Sequence, residues 1–574
     1  MWVFLNQPES GTPDLDRAGA PADTSGNVKA LELVLVLLAA TAAISVIAER
    51  LVVPSPVLLV LAGAVLAFVP ELPRPTLSPE VVFLVFIPPL LYWSAFNTSW
   101  RDFRRHLRSI SLLSVGLVLV TMAAVAAVAH ALVPALPWPS AFVLGAIVSP
   151  PDAVAVAAVT RRLGIDRGIM TVLEGEGLVN DATALIAYRM AVAAVVAGAF
   201  SLRMATVEFA WAAVAGVGVG LGVGMAIVAL RRRLRVSSVA SNTVSLLTPF
   251  AAYIPAEHFG ASGVLAVAAV GLYLGRQGPR VIPPQTRTQA VAMWEMLTFL
   301  LEGLVFILVG LELPMAVAAL REYRVGTLAA AVVAVSVAAV LVRMVWVIPG
   351  TYLVRGAMGL LGRPEPMPPW RSVVFIGWAG LRGADSLVIA LSLPLAVATG
   401  APFPGRDLIV FLTFAIIFVT LVAQGLSLKA VIRALGLKPD PESAREMSAA
   451  RARLAVVGLE TLDALPVGEP GAEDARKALR LKYEHVAHRF EARLHNKRIA
   501  RDEERIEAYR MMRLKMLGAE RAALIDMRDK NEISDDVLRE IQNDLDLEQV
   551  LLEQPGPSDG GFESAPEIQR DTRG

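Results

Sequence analysis

Residues 174–181 read EGEGLVND, which places three carboxylates, Glu174, Glu176 and Asp181, and one carboxamide, Asn180, in or beside an apolar run from about 169 to 200. That run is long enough to cross a bilayer, which takes about 20 residues. An acid at membrane depth costs roughly 2.5–3.5 kcal/mol on insertion scales, so it marks a functional site by default. A carboxylate in such surroundings holds a hard cation through oxygen when deprotonated and a proton otherwise, but not both. Helical spacing sorts the acids. Glu174 and Asp181 stand seven apart and share one face, about 10 Å from each other along the axis. Glu176 and Asn180 stand four apart on another face. Asp181 is the deep ion-binding candidate, Glu174 an acid at its entrance, and Glu176 an acid aimed at a neighbouring helix.

Two further stretches put charge where an apolar run breaks. Residues 149–152 read SPPD; the prolines remove donors and clash with the preceding turn, so the helix opens beside Asp152. Residues 377–385 read GWAGLRGAD, with three glycines, Arg382 and Asp385 inside the run 372–397. Interrupted helices in corresponding places of two halves are the best sequence pointer to a transporter site. The freed backbone groups are tolerated only beside protein or a water-filled cavity. Arg343 lies deep in another run; a buried arginine requires a carboxylate, and Glu176 is the candidate.

The elements that position these residues follow from hydropathy. The chain has 574 residues, 55% of them hydrophobic and 18% charged, with a mean hydropathy of +0.57. Apolar runs stand near 29–49, 54–71, 78–96, 109–134, 139–160, 169–200, 204–230, 240–258, 261–275, 289–314, 325–349, 372–397 and 407–433, about thirteen spans. Basic loops follow the odd spans: Arg50; Arg101, Arg104, Arg105 and Arg108; Arg161, Arg162 and Arg167; Arg231, Arg232, Arg233 and Arg235; Arg276, Arg280 and Arg287; Arg355, Arg363 and Arg371; Lys429, Arg433 and Lys438. The positive-inside rule then puts the N-terminus outside and the C-terminus in the cytoplasm. Arg203, Arg321 and Arg324 are exceptions on the other side. Glycines 216, 220 and 224 form a four-residue repeat that lets another helix approach closely.

The expected domains are an extracellular segment 1–28, a transmembrane domain 29–435, a charged cytoplasmic helical domain 436–554 and a disordered tail 555–574. A net charge of +1 argues against a nucleic-acid partner, and the absence of cysteine removes disulfides, thiol chemistry and Cys-ligated metal.

In order, these stretches resemble the monovalent cation:proton antiporter-1 family, the sodium/proton exchangers and their bacterial relatives. FIPPLLY at 86–92, SPPDAVA at 149–155, EGLVND at 176–181, Arg343 and GLRG at 380–383 are similar to its motifs, over roughly residues 30–435. The resemblance implies an all-α fold of thirteen transmembrane helices in two inverted repeats with crossed broken helices, a homodimer and an elevator-like motion. It implies that Asp152 falls on the family's unwound-segment aspartate and that Arg343 pairs with Glu176. It also implies electroneutral exchange, because Asn180–Asp181 stands where electrogenic relatives have two aspartates. Pro151 and Ala153 depart from the family's threonine and proline, and Trp93 from an acid carried by many members.

The reading is a secondary transporter of the plasma membrane, not an enzyme and without a cofactor, exchanging Na+ (alternatively K+ or Li+) for H+. Its expected ion ligands are Asp181, Asp152, Asn180, the Ser149 hydroxyl, carbonyls freed at the prolines, and water. Arg382 and Asp385 set the charge balance at the second break. Membrane lipids surround the protein, and a regulatory ligand or protein is a candidate at the tail. A cation channel with a regulatory tail and a sensor are rivals from other classes. An intramembrane serine protease built on Ser262 (GASG at 260–263) lacks a histidine in any later span, since the six histidines stand at 106, 130, 258, 485, 488 and 495.

Overall fold

Proline, glycine and charge end helices at 149–152 and 377–385, whereas Pro249 and Pro255, Pro279 and Pro349 each lie inside a continuous helix. The computed structural model describes residues 24–51, 55–69, 84–160, 165–198, 201–233, 237–311, 323–360, 367–437, 441–466, 472–494, 500–530 and 532–553. Among these the architecture is all-helical, apart from one isolated bridge between Ala396 and Pro402. The expectations for residues 1–23 and 555–574, and for Arg161, Arg162, Arg235, Arg321, Arg363 and Lys438, lie outside the described residues.

Two compact units divide the chain, Met1–Leu163 with Gly168–Leu437, and Lys438–Gly574 with Gly164–Arg167. In the first unit α1 spans Thr24–Leu51, α2 Ser55–Leu66 and α3 Ile87–Asn97. A long helix α4, Leu107–Leu132, carries a π-turn at Leu112–Leu117. The helices α5 (Trp138–Val148) and α6 (Ala153–Thr160) are the halves of one broken span, and α7 (Arg167–Ala197) follows. Next come α8 (Leu202–Arg233), α9 (Ser238–His258), α10 (Gly263–Val281), α11 (Pro284–Leu311) and α12 (Val325–Leu360). A second broken span consists of α13 (Trp370–Trp378) and α14 (Ala384–Leu391), before α15 (Arg406–Leu435). Among the described residues six helices, α4, α7, α8, α11, α12 and α15, contain stretches long and apolar enough to cross a membrane. The thirteen apolar runs do not each appear as one long helix: 139–160 and 372–397 each hold two short ones, and 29–49 and 54–71 hold shorter apolar helices.

Packing sorts the first unit into two sets. Among the described residues the helices α1, α2, α3 and α8–α11 pack on one another, as do α4, α5, α6, α7 and α12–α15; α2 with α15 and α11 with α14 pack across. The four-residue glycine repeat has its predicted use in the first set. A Cβ on Gly216 would lie 2.6 Å from the Ser262 carbonyl oxygen and one on Gly224 2.7 Å from the Tyr273 ring, so α10 rests directly on the α8 backbone. In the second set Val172 of α7 packs with Leu113, Leu117, Val347 and Val373, which fixes α7 against α4, α12 and α13.

The second unit is built from α16 (Pro441–Ala464), α17 (Ala472–Leu494), α18 (Ala500–Asp529) and α19 (Asp535–Glu553). The pairs α16–α17 and α18–α19 pack as hairpins. In the second hairpin Arg513 makes a bidentate pair with Glu548 at 2.6 and 2.7 Å and reaches Glu520 at 2.8 Å. Those hydrogen bonds hold the Glu548 carboxyl below the usual carboxylate range.

Candidate functional site

The two broken spans meet through their backbones. Helix α5 ends where Pro150 and Pro151 interrupt the ladder, and the next amide, that of Asp152, donates to the Leu381 carbonyl at 2.7 Å. Asp152 also starts the second half: its Oδ1 accepts from the Ala155 amide at 3.1 Å, an N-cap on α6. Its carboxylate lies so close over Gly383 that a Cβ there would collide with Oδ2 and Cγ. Glycine is therefore required at 383 by the approach of a carboxylate, not by its own backbone angles. Helix α15 supports the second break. Gln424 Nε2 donates to the Trp378 carbonyl at 3.1 Å, and the Arg382 amide donates to Thr420 Oγ1 at 3.3 Å. Freed backbone groups are thus satisfied from a neighbouring helix, as a low-dielectric setting requires.

Beside this crossing, Glu176 of α7 faces Arg343 of α12. The guanidinium is bidentate on the carboxylate, Nη1 to Oε1 at 2.5 Å and Nη2 to Oε2 at 2.8 Å, and Nε donates to the Ile376 carbonyl at 3.1 Å. Both side chains are 1% exposed. Gly380 gives the arginine room, since a Cβ there would lie 2.5 Å from Arg343 Cδ. The pair ties α7, α12 and α13 together in one locked geometry.

A cavity of about 60 Å³ opens between the two helix sets. A water needs only about 10–15 Å³ on that measure, so the space accommodates a partly hydrated alkali ion. Its polar wall consists of Asp152, Asp181, Asp385, Glu302 and Ser94; the remainder is Ile87, Leu90, Leu91, Ala153, Gly177, Val305 and Phe306. No lysine or arginine lines it. Neither Asp181 nor Asp385 makes a hydrogen bond to a described residue. Gly177, one turn before Asp181, lets α6 approach, because a Cβ there would meet that of Ala153 at 2.6 Å. Among the described residues no three histidine or carboxylate side chains group tightly enough to hold a metal ion by themselves.

The structure thus brings Asp152, Asp181 and Asp385 to one cavity and sets the other candidates around it. Asn180 points to the break: its Nδ2 donates to the Pro151 carbonyl at 2.9 Å, and its Oδ1 is buried without a partner among the described residues. The Ser149 hydroxyl donates to the Ala146 carbonyl at 2.9 Å. Glu174 is half-buried and is not part of the cavity wall. Arg382 is 2% exposed, with Nε and Nη1 unpaired among the described residues. Sequence reasoning missed Ser94, Thr420 and Gln424. The last two carried a signal: polar residues four apart on one face of an apolar helix.

Comparison with known proteins decides the family. A family model described as "Sodium/hydrogen exchanger, transmembrane" matches residues 35–434. The chain belongs to the sodium/hydrogen exchanger family. An uncharacterized Na+/H+ exchanger of Mycobacterium tuberculosis (strain ATCC 25618 / H37Rv) is 38% identical over 538 residues, 93% of this chain and 98% of that protein. A "sodium, potassium, lithium and rubidium/H+ antiporter" of Bacillus subtilis (strain 168) is 33% identical over 404 residues, 68% of this chain and 60% of the relative. In fold, the chain is similar to the sodium proton antiporter MjNhaP1 from Methanocaldococcus jannaschii, with a TM-score of 0.55 and 18% identity over 71% of this chain and 99% of that one. This exchanger is accordingly a multi-pass membrane protein of the antiporter class, a cation/proton transporter and not an enzyme.

Proposed function

We propose that this exchanger carries Na+ one way and H+ the other across the plasma membrane, one for one, with both ions competing for Asp181. Asp152 supplies the second carboxylate, and backbone carbonyls at the breaks complete the cation's shell with Asn180, Ser149 and water. Arg382 and Asp385 balance charge at the crossing, Glu174 stands at the ion's entrance, and the Glu176–Arg343 pair holds α7 in register. The observation that carries this reading is the cavity itself: Asp181, without a hydrogen bond to a described residue, faces a water-sized space between two helix sets beside two interrupted spans. Alternating access follows if α4–α7 and α12–α15 move as a body against α1–α3 and α8–α11. In this reading 29–435 is the transporting domain of a homodimer, thirteen spans in two inverted repeats, with the N-terminus outside. Residues 436–554 form a cytoplasmic regulatory domain, and 1–28 and 555–574 are extensions.

The test is cation-dependent dissipation of an imposed pH gradient in proteoliposomes. Wild-type protein exchanges; folded Asp181→Asn does not. Wild-type exchange by folded Asp181→Asn overturns the assignment. K+ is the second reading for the cargo, favoured by the breadth of cations in the name of the Bacillus subtilis relative. Rates measured with Na+, K+ and Li+ in turn separate the two, and a bilayer recording that found conductance without counter-transport would make the protein a channel.

A further inference from the structure

A second cavity lies on the same boundary between the helix sets and is unlike the first. It measures about 620 Å³ and is walled by apolar side chains of α4 (Val115, Met122), α5 (Phe142), α7 (Met190, Ala191) and α8 (Phe209), with Thr206 as its polar exception. That is several times the roughly 150 Å³ apolar cavity that stays dry and takes up benzene. Three of its walls belong to one helix set and the fourth, α8, to the other. Helix α7 lines both cavities: Ala187 stands six residues beyond Asp181, about 9 Å along the axis at 1.5 Å per residue. The slot starts where α5 and α8 begin and α7 ends, at Trp138, Ala205 and Ala194. Along α7 it reaches Ala187, seven residues from Ala194 and so about 10 Å deep, a third of the roughly 30 Å hydrocarbon thickness.

Its rim has the chemistry of a headgroup site. Trp138 is 47% exposed and packs against His130, tilted, with ring centroids 4.5 Å apart; such amphipathic rings favour the membrane–water interface. Arg203, exposed on the first turn of α8, does not line the slot; two residues before the lining Ala205, it lies about 160° round the helix from it, on the lipid side with Met204 and Val207, where a headgroup at the slot's mouth would meet it. It is one of the cations that break the charge asymmetry of the loops.

We infer that this slot holds one acyl chain of a phospholipid whose phosphate rests against Arg203. The chain fills the seam between the helix set that carries Asp181 and the set that does not, so the two surfaces slide over a fluid hydrocarbon filling instead of interlocked side chains. The inference rests on the membrane reading of the proposed function and not on its cation chemistry.

The test is photolabelling of the full-length protein in vesicles doped with phosphatidylglycerol bearing a diazirine on one acyl chain, followed by mapping of the labelled residues. Label is expected on Met122, Phe142, Met190 and Phe209, in addition to the lipid-facing Met204 and Val207. Ala191→Trp, which fills the slot, lowers slot labelling at least fivefold and leaves Met204 and Val207 labelled, an internal control for folding. Should that variant not fold, Ala187→Phe serves in its place. Arg203→Gln lowers slot labelling severalfold. Label confined to Met204 and Val207 overturns the inference. Slot labelling untouched by the filling substitution, or obtained with a diazirine fatty acid and not with the phospholipid, also overturns it. Because no transport is read, a failure here leaves the exchange reading standing, and a failed exchange assay leaves this one standing.

Discussion

Glu176→Gln leaves Arg343 charged, 1% exposed and without the acid that now receives two of its nitrogens at 2.5 and 2.8 Å. Removing one member of a buried pair costs about 3–5 kcal/mol, because the survivor keeps its desolvation penalty. At about 1.4 kcal/mol per decade that is roughly a hundred- to several-thousand-fold in the folded-to-unfolded ratio. Arg343→Leu belongs at the upper end, since it also strips the Ile376 carbonyl of its donor at 3.1 Å. The double variant Glu176→Leu/Arg343→Leu removes both charges and is expected to recover much of the loss, as apolar replacements of whole buried pairs often do. The measurement is thermal unfolding of the detergent-solubilised protein for the four members of the cycle, alongside apparent cation affinity from exchange. The single variants should unfold early, with apparent affinity in the surviving folded fraction changed less than about threefold, a free-energy difference near 0.6 kcal/mol. A Glu176→Gln protein as stable as wild type but deficient in cation binding would refute the argument and make Glu176 an ion ligand.

Other expectations follow from single contacts. Gly383→Ala drives a methyl group into the Asp152 carboxylate, so exchange should fall at least tenfold, whereas Gly218→Ala, with open space at its Cβ, should leave the rate within a factor of two in the same vesicle assay. Arg189 of α7 and Glu257 of α9 form an ion pair at 2.7 Å across the two helix sets, with the glutamate also accepting from the Gly263 amide at 3.0 Å. Glu257→Gln should therefore change the maximal exchange rate more than the apparent cation affinity, which rates measured against cation concentration will show. In the second unit, the depressed Glu548 carboxyl stabilises the α18–α19 hairpin above the unfolded-state value, about pH 4.3, and that contribution is lost as pH falls through its lower folded value. Protection factors of α18 and α19 in the full-length protein, corrected for the intrinsic slowing of amide exchange in acid, should fall over that range, and Glu548→Gln should remove this fall without altering protection in α16.

The breaks were readable because their causes are local. Pro150 and Pro151 cannot donate, and Gly377, Gly380 and Gly383 cluster with two charges, so interruption at both places follows from residue type alone. The partner of Arg343 was readable for a different reason, since a lone charge in an apolar run has few affordable neighbours. What stayed hidden is whatever depends on which helices cross. Asp385 read only as charge balance at the second break, because its place in one cavity with Asp181 of another span depends on which helices cross. Asn180 and Ser149 read as ion ligands by type; the structure aims Asn180 Nδ2 at the Pro151 carbonyl, which no spacing rule announces, and the Ser149 hydroxyl at Ala146, the i−3 carbonyl a serine near a helix end commonly takes. Helix ends were likewise hidden, because an apolar run records hydrophobicity and not where a helix starts and stops.

The hydrogen bond from the Asp152 amide to the Leu381 oxygen joins the interrupted segments at their crossing, main chain to main chain. In the alternating-access reading proposed above, that bond carries the two segments together, so the cage they form moves preassembled. A cation would then meet the same oxygens whichever compartment it arrives from. Such a carrier has no built-in preference for loading or unloading on either side, and the sense of net flow belongs entirely to the concentrations it is placed between.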